Sequence, residues 1–524
     1  MQKHNMRTEK KSSIKNSATR LVLIALLVLI QTGWMVFLML KLNAYSTAIT
    51  LTLTFIAVFI ALKIFGTHVN SAQRMPWLIV ITAVPFFGIC IYLLFGRSIV
   101  TKGMRRRFNG IESDILVNKL SQDETVIDEI VAKDKGIANQ CRYISHTARY
   151  PVYKNTDVEY YAEADISFAA QIEELKKAEH FIFMEYHAIE DALSFERLKK
   201  VLIEKAQSGV EVRIFYDDLG SIFFLNKEFI KRMREQGIQC RVFNPLKVVV
   251  NMFMNNRDHR KITVIDGRVG FTGGYNLADE YFNITHPYGY WKDTGIKLTG
   301  DAVRSLTASF LTMWNAIDHT DSQADYDKYL DAADNTYKAV DSECYVQPYS
   351  DNPLGQDRIG EDVYLNILKN AKDYVYITTP YLIITDEMER ELRLAVKRGV
   401  DVRIVTPGIP DKKMVYKITR SYYEPLCSAG VRIYEYTPGF CHAKQWVSDD
   451  EVSVVGTINM DFRSLYLHFE NAVFTYNKGL AAKVKKDMLN NFEEGREVTK
   501  DYAKDVIRPL KLGTCILRMI SPLL

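Results

Sequence analysis

The run HFIFMEYHAI at 180–189, a helix-patterned stretch, and SGVEVRIFYDD at 208–218 recur as DYVYITTPYL at 373–382 and RGVDVRIVTPG at 398–408. In each copy a strand leads to a helix, then to a glycine turn and a second strand, so apolar runs of strand length alternate with longer helical ones. That alternation predicts an α/β fold. Two copies are too few to stack as a solenoid. The repeat therefore predicts two pseudo-symmetric lobes, at 151–340 and 341–505, whose equivalent edges meet across one cleft. A chain of 524 residues is long enough for both and for a further region besides.

The repeat sharpens at one motif. HRKITVID, GRVGFT and GGYN in the first copy, and HAKQWVSD, DEVSVV and GTIN in the second, both read H-x-K, four residues, D, six residues, G-[GT]-x-N. The residues are His259, Lys261, Asp266, Gly273 and Asn276, then His442, Lys444, Asp449, Gly456 and Asn459. On a strand, side chains two apart share a face, so each lobe presents an imidazole and an ammonium to the same cleft. Such a set suits a phosphodiester. Lys261, Lys444, Asn276 and Asn459 can hold non-bridging oxygens; one neutral imidazole can attack phosphorus while the other protonates the leaving alcohol and later deprotonates the incoming one. Two displacements give transfer with retention at phosphorus, and no metal or other cofactor is needed. A single H-x-K is usually an exposed pair without chemistry, but identical spacing through to the asparagine, twice, argues against chance. Histidines as metal ligands are the other alternative, opposed by a lysine two residues from each. Asp266 and Asp449, grouped with the catalytic residues, sit at the strand end, where turn-holding and catalytic support are equally open.

The N-terminal hundred residues are of another kind. Residues 21–40 form an uncharged apolar stretch of the length a helix needs to cross a bilayer, and 48–66 and 77–95 are also long enough, with Pro85 interrupting the last. A cleaved signal peptide would have a shorter apolar core and a small-residue cleavage site, which does not follow Leu40. This gives a basic tail at 1–20, a membrane region at 21–96 and a basic juxtamembrane linker at 97–150. The tail carries six basic residues against Glu9, and Arg97, Lys102, Arg105, Arg106 and Arg107 follow the third segment, so both flanks favour the cytoplasm. Three crossings would separate them; a re-entrant Pro85 segment would not. The catalytic part is expected to face the cytoplasm. Seven cysteines without metal-finger spacing fit a reducing compartment, and a net charge of +4 does not call for nucleic acid.

These motifs resemble the duplicated HKD motif of the phospholipase D superfamily over roughly residues 151–524. NNRDHRKITVIDGRVGFTGGYNLADEY, YGYWKDT, GTINMDFRSLYLHFEN and the closing RMISPLL are similar to those of bacterial cardiolipin synthases. The resemblance implies a two-lobed α/β architecture with mixed sheets flanked by helices, both motifs sharing one active site behind N-terminal transmembrane helices in the bacterial cell membrane. It implies a phosphatidyltransferase that joins two phosphatidylglycerols and releases glycerol, with anionic phospholipids as partners. Asp293 in WKDT and Glu470 in HFEN take the places of acids that orient the histidines, and the analogy makes His259 the nucleophile and His442 the general acid and base.

Two further stretches point to lipid. LKVVVNMFMNNR, just before His259, is either an apolar loop or a buried strand, and 506–524 mixes Arg508, Lys511 and Arg518 with large apolar residues, as an interfacial segment would. Hydrolysis by the same residues, as a phospholipase or nuclease, and transfer to serine or another alcohol are the competing activities; a non-catalytic lipid-binding scaffold is the competing class, disfavoured by intact histidines and lysines in both motifs. The sequence fixes neither the second substrate nor the oligomeric state.

Overall fold

The computed structural model describes residues 47–67, 70–96, 102–226, 228–245, 255–331, 337–505 and 511–523, with scattered helical positions between 26 and 41. Half of the stretch 21–40 and all of the apolar run at 246–254 therefore lie outside the described residues.

The first lobe contributes β1 (Thr156–Tyr161), β2 (Phe181–Tyr186), β3 (Glu211–Asp217), β4 (Gln239–Phe243), β5 (Arg257–Asp258), β6 (Lys261–Ile265), β7 (Val269–Gly273), β8 (Tyr290–Lys292) and β9 (Gly295–Gly300). The second contributes β10 (Tyr345–Asp351), β11 (Tyr374–Thr378), β12 (Leu382–Ile383), β13 (Asp401–Pro407), β14 (Arg432–Tyr436), β15 (Gly439–Cys441), β16 (Gln445–Ser448), β17 (Val452–Gly456), β18 (Met460–Asp461), β19 (His468–Tyr476) and β20 (Gly495–Glu497). The sheets run β1-β9-β7-β6-β2-β3-β4 and β10-β19-β17-β16-β11-β13-β14-β20. Strand for strand these are the same mixed topology, with β20 added at one edge. β2 pairs parallel with β3 and antiparallel with β6, as β11 does with β13 and β16. The repeated sequence is thus a repeated fold. β2 and β11 are buried along their whole length, which is why they read as unbroken apolar and aromatic runs rather than alternating ones.

The lobes share a core. The helix Val303–Ile317 lies in it, with all but its Arg304 and Ile317 buried, and it solves the problem of hydroxyls in an apolar interior by returning Thr307, Ser309 and Thr312 Oγ to the carbonyl four residues back. The stretch expected to be a juxtamembrane linker belongs to this core as well. Helices Lys102–Glu112, Glu124–Lys133 and Lys135–Tyr143 bury Phe108, Ile111, Ile127, Ile130 and Cys141 against both lobes, so over these residues the linker reading gives way to a packed helical segment.

At the N-terminus, 48–66 forms the helix Thr47–Phe65. The stretch 77–95 is not one helix: Ser71–Ala83 ends at Val84, and Pro85, which lacks an N–H to continue the ladder, starts a new helix to Ile91. Among the described residues no helix is long and apolar enough to cross a membrane.

The motif aspartates occupy left-handed backbone, φ 51° at Asp266 and 54° at Asp449, in the turns after β6 and β16. Asp266 accepts hydrogen bonds from the amides of Glu179, His180 and Phe181 at 2.7–2.8 Å, and Asp449 from Lys372, Asp373 and Tyr374 at 2.9 Å. Each ties a hairpin turn to the start of the adjacent strand, at the far end from the histidines. Of the two roles left open for them by the sequence, these bonds display the turn-holding one. With three charge-assisted bonds lost, Asp266→Ala or Asp449→Ala should cost about 2–4 kcal/mol of stability, read as a lower thermal midpoint with the turnover of the folded protein retained.

Candidate active site

Two short cross-lobe strand pairs build the cleft. β5 pairs with the start of β19, Arg257 opposite His468 and Asp258 opposite Phe469, and β15 pairs with β8, Cys441 opposite Lys292. The next residue along each strand is a motif histidine, whose amide donates across the lobe boundary: His259 N to Phe469 O at 2.9 Å, and His442 N to Lys292 O at 2.7 Å. One residue beyond each acceptor stands a carboxylate. Glu470 Oε2 accepts from His259 Nδ1 at 2.9 Å, and Asp293 Oδ2 from His442 Nδ1 at 2.6 Å. Each histidine is therefore held by the acid of the opposite lobe. An ionised carboxylate only accepts, so Nδ1 carries the proton and Nε2 keeps its lone pair.

Lys261 Nζ donates to His259 O at 2.5 Å and Lys444 Nζ to His442 O, folding each ammonium back beside its own imidazole. Burial lowers the Lys261 ammonium to about 7, with Glu470 partly opposing it, and Lys444 to about 8, with Asp293 opposing. Burial, then the lysines, push His259 well below the usual imidazole range and His442 to about 4. Burial would raise Asp293, but His442 and Lys444 outweigh it and hold the carboxyl low. Burial and the mutual repulsion of these four cations-to-be thus favour the neutral form of each imidazole and weaken each lysine's hold on its proton.

The asparagines are placed unequally. Asn276 Oδ1 accepts from Ala188 N at 3.1 Å and its Nδ2 donates to Tyr281 OH at 2.8 Å, whereas the buried Asn459 Oδ1 has no hydrogen-bond partner among the described residues.

Several neighbours were not singled out from sequence. His187 donates from Nδ1 to Asp258 O at 2.7 Å and sits edge-on to His259, ring centroids 5.1 Å apart; His468, 5.6 Å from His259 on another side, approaches Glu470 Oε1 at 3.6 Å. Thr457 Oγ1 donates to Glu470 Oε2. His442 instead lies among Trp291, Tyr281 and Phe440 at 5.2–5.7 Å. Behind β5, the buried Arg257 pairs with Asp217 at 3.1 Å, and Arg260 with Glu185 at 2.6 Å and Asp258 at 3.2 Å, an ion network that fixes the backbone on both sides of His259. His259, His468 and Glu470 offer donor atoms within 4.8 Å of one another, a spacing a metal ion could use. His259 Nδ1 donates to Glu470 Oε2, and Arg463 Nε donates to His468 Nε2 at 3.3 Å, while the Lys261 ammonium stands alongside as a cation that would repel a metal ion. That donor set fits a proton network better than a divalent cation.

The family model described as "Cardiolipin synthase, PLD-like domain" matches residues 171–314 and 364–493, and "Phospholipase_D-nuclease N-terminal" matches 52–97. A Streptococcus mutans protein described as uncharacterized is 39% identical over 465 residues, covering 88% of this chain and 99% of its own. Cardiolipin synthases of Halalkalibacterium halodurans and Geobacillus thermodenitrificans are 31% and 33% identical, covering 94% and 92% of this chain and 95% and 94% of theirs. Among solved structures, the phosphatidylserine synthase of Haemophilus influenzae superposes with a TM-score of 0.53 at 14% identity, over 70% of this chain and 94% of that one, a likeness of fold.

Proposed function

The chain belongs to the cardiolipin synthase, phospholipase D-like family, and from that premise we propose that it transfers a phosphatidyl group from one phosphatidylglycerol to another through a phosphohistidine. His259 Nε2 attacks the phosphorus of the donor lipid, forming a P–N bond as the P–O bond to the head-group glycerol breaks. His442, which takes up a proton at Nε2 when the anionic lipid binds beside it, gives that proton to the departing glycerol. The second phosphatidylglycerol then offers a hydroxyl, His442 takes its proton, the new P–O bond forms and the P–N bond breaks, leaving cardiolipin and the starting enzyme. Lys261, Lys444 and Asn459 neutralise or hold the non-bridging oxygens through both displacements.

The observation that carries this reading is the reciprocal pairing of each imidazole with the other lobe's acid, His259 with Glu470 and His442 with Asp293. It gives two equivalent bases with free Nε2 atoms on one cleft, one for attack and one for proton transfer. Membrane attachment through the N-terminal region, with the lobes on the cytoplasmic side, is part of the proposal. It is supported by outward-facing Leu51, Phe55, Phe59, Leu62 and Phe65 on the helix Thr47–Phe65, a surface that water does not favour.

Purified full-length protein in detergent–lipid micelles with phosphatidylglycerol and no divalent metal should yield cardiolipin and glycerol by mass spectrometry. Phosphatidic acid in their place would make water the acceptor and the chain a hydrolase; a phosphatidyl ester formed only with an added alcohol, or cardiolipin formed only with another phospholipid as donor, would change the substrate but not the mechanism.

A further inference from the structure

A helix on the surface of a protein in water turns its polar side outward, and the C-terminal helix Leu512–Ile520 does the reverse. Leu512 is 78% exposed and Ile516 49%, with exposed Cys515 beside them. These positions, i, i+3 and i+4, form one apolar outer stripe. Its polar residue points inward: the Arg518 guanidinium stacks on Tyr422 at 3.8 Å and lies 3.8 Å from Glu389. The helix is held on both flanks. On one it packs against Ser71–Ala83, whose Met75 and Ile79 are 57% and 43% exposed, and on the other against Lys413–Ser421.

That second neighbour adds charge. Lys412, Lys413 and Lys417 are exposed around Met414, itself 45% exposed, and Lys511 opens the C-terminal helix. The one acid of this segment, Asp411, accepts a hydrogen bond from Tyr381 OH at 2.6 Å. The segment also reaches the cleft rim: Ile409 N donates to Gly439 O of β15 at 3.2 Å, and the charge of Lys412 bears on His259.

Three elements distant in sequence thus present one outer face, apolar in the middle, lysine-rich on the side toward the cleft. We propose that this face lies on an anionic phospholipid bilayer, the apolar stripe entering the interface and Lys413, Lys417 and Lys511 meeting phosphate head groups, so that lipid moves from the bilayer surface past Lys412 into the site. The apolar stripe asks for an interface and the lysines ask for anions; a bilayer of acidic phospholipid supplies both. The proposal rests on the lipid-transfer reading and gives that reading its route of entry.

Cys515 makes the face directly measurable, because the other described cysteines are buried except the half-exposed Cys90. In the full-length Cys90→Ser chain, a nitroxide on Cys515 is reconstituted in phosphatidylcholine vesicles with and without phosphatidylglycerol. With phosphatidylglycerol the label should be severalfold more accessible to oxygen than to a water-soluble nickel chelate. Adding Lys413→Glu, Lys417→Glu and Lys511→Glu should reverse that ratio. The same triple change should lower turnover on long-chain phosphatidylglycerol in vesicles at least tenfold relative to turnover on a water-soluble short-chain analogue. A label that stays in water in both membranes overturns the proposal, as does spin–spin broadening between labels, which would put a second copy of the chain on the face. Total phosphodiester turnover is counted whatever the product, so phosphatidic acid in place of cardiolipin would sink the transfer reading without moving the label.

Discussion

Turnover of phosphatidylglycerol by the His259→Ala chain is expected to fall by about 10,000-fold or more, the scale on which loss of a nucleophile acts when the remaining groups work only in concert with it. The His442→Ala chain should fall comparably on the natural lipid. A p-nitrophenyl phosphodiester separates the two roles, because its leaving group departs without a proton. The His442→Ala chain should then release one equivalent of p-nitrophenol in a burst and stall, having no base to activate the acceptor. The stalled protein should carry an acid-labile, alkali-stable phosphoryl group on His259. The His259→Ala chain should give neither burst nor label. An exchange of the two patterns would make His442 the nucleophile, and the absence of a burst in both would remove the covalent intermediate from the mechanism.

Why the site could be read only in part from sequence follows from how it is made. The H-x-K motifs are local: strand alternation alone puts His259 with Lys261 and His442 with Lys444, and the repeated order of strands made the two-lobed fold legible. The partners of the histidines are not local. Glu470 is 211 residues from His259 and Asp293 is 149 residues from His442, and only the two- and three-residue pairings of β5 with β19 and β15 with β8 bring them together. Strands that short leave no periodic signal, so these acids came from family resemblance. His187 and His468 sit inside strings that were read for other reasons, and a lone histidine at a strand edge looks like any half-buried side chain. Asp266 and Asp449 were ambiguous because the spacing that puts them beyond the strand says nothing about which amides they meet. The helices of 102–148 read as a linker in sequence because basic residues dominate the pattern, while the buried stripe of Phe108, Ile111 and Ile115 is short and broken by a π turn at Ser113–Val117.

The two carboxylates give the second large effect. In Glu470→Gln the side chain can present an amide N–H to His259 Nδ1. Nδ1 would then have to accept, the proton would move to Nε2, and the lone pair needed for attack would be lost. Asp293→Asn does the same to His442. Both changes keep the side-chain shape, and Gly274, where even a Cβ would fall 2.0 Å from Asp293 Oδ1, shows how tightly that side chain is enclosed. The fold should therefore survive, with thermal midpoints within a few degrees of the parent. Turnover on phosphatidylglycerol should fall by about 100- to 10,000-fold in each, or about 2.7–5.5 kcal/mol of barrier. The p-nitrophenyl substrate again divides them. Asp293→Asn impairs only proton transfer through His442, so a burst should remain; Glu470→Gln disables attack by His259, so the burst should disappear. If both variants kept the burst, Glu470 would be supporting the strand pairing of β19 and not the imidazole. If neither did, the carboxylates would be holding the lobes together, and the thermal midpoints would fall with the activity.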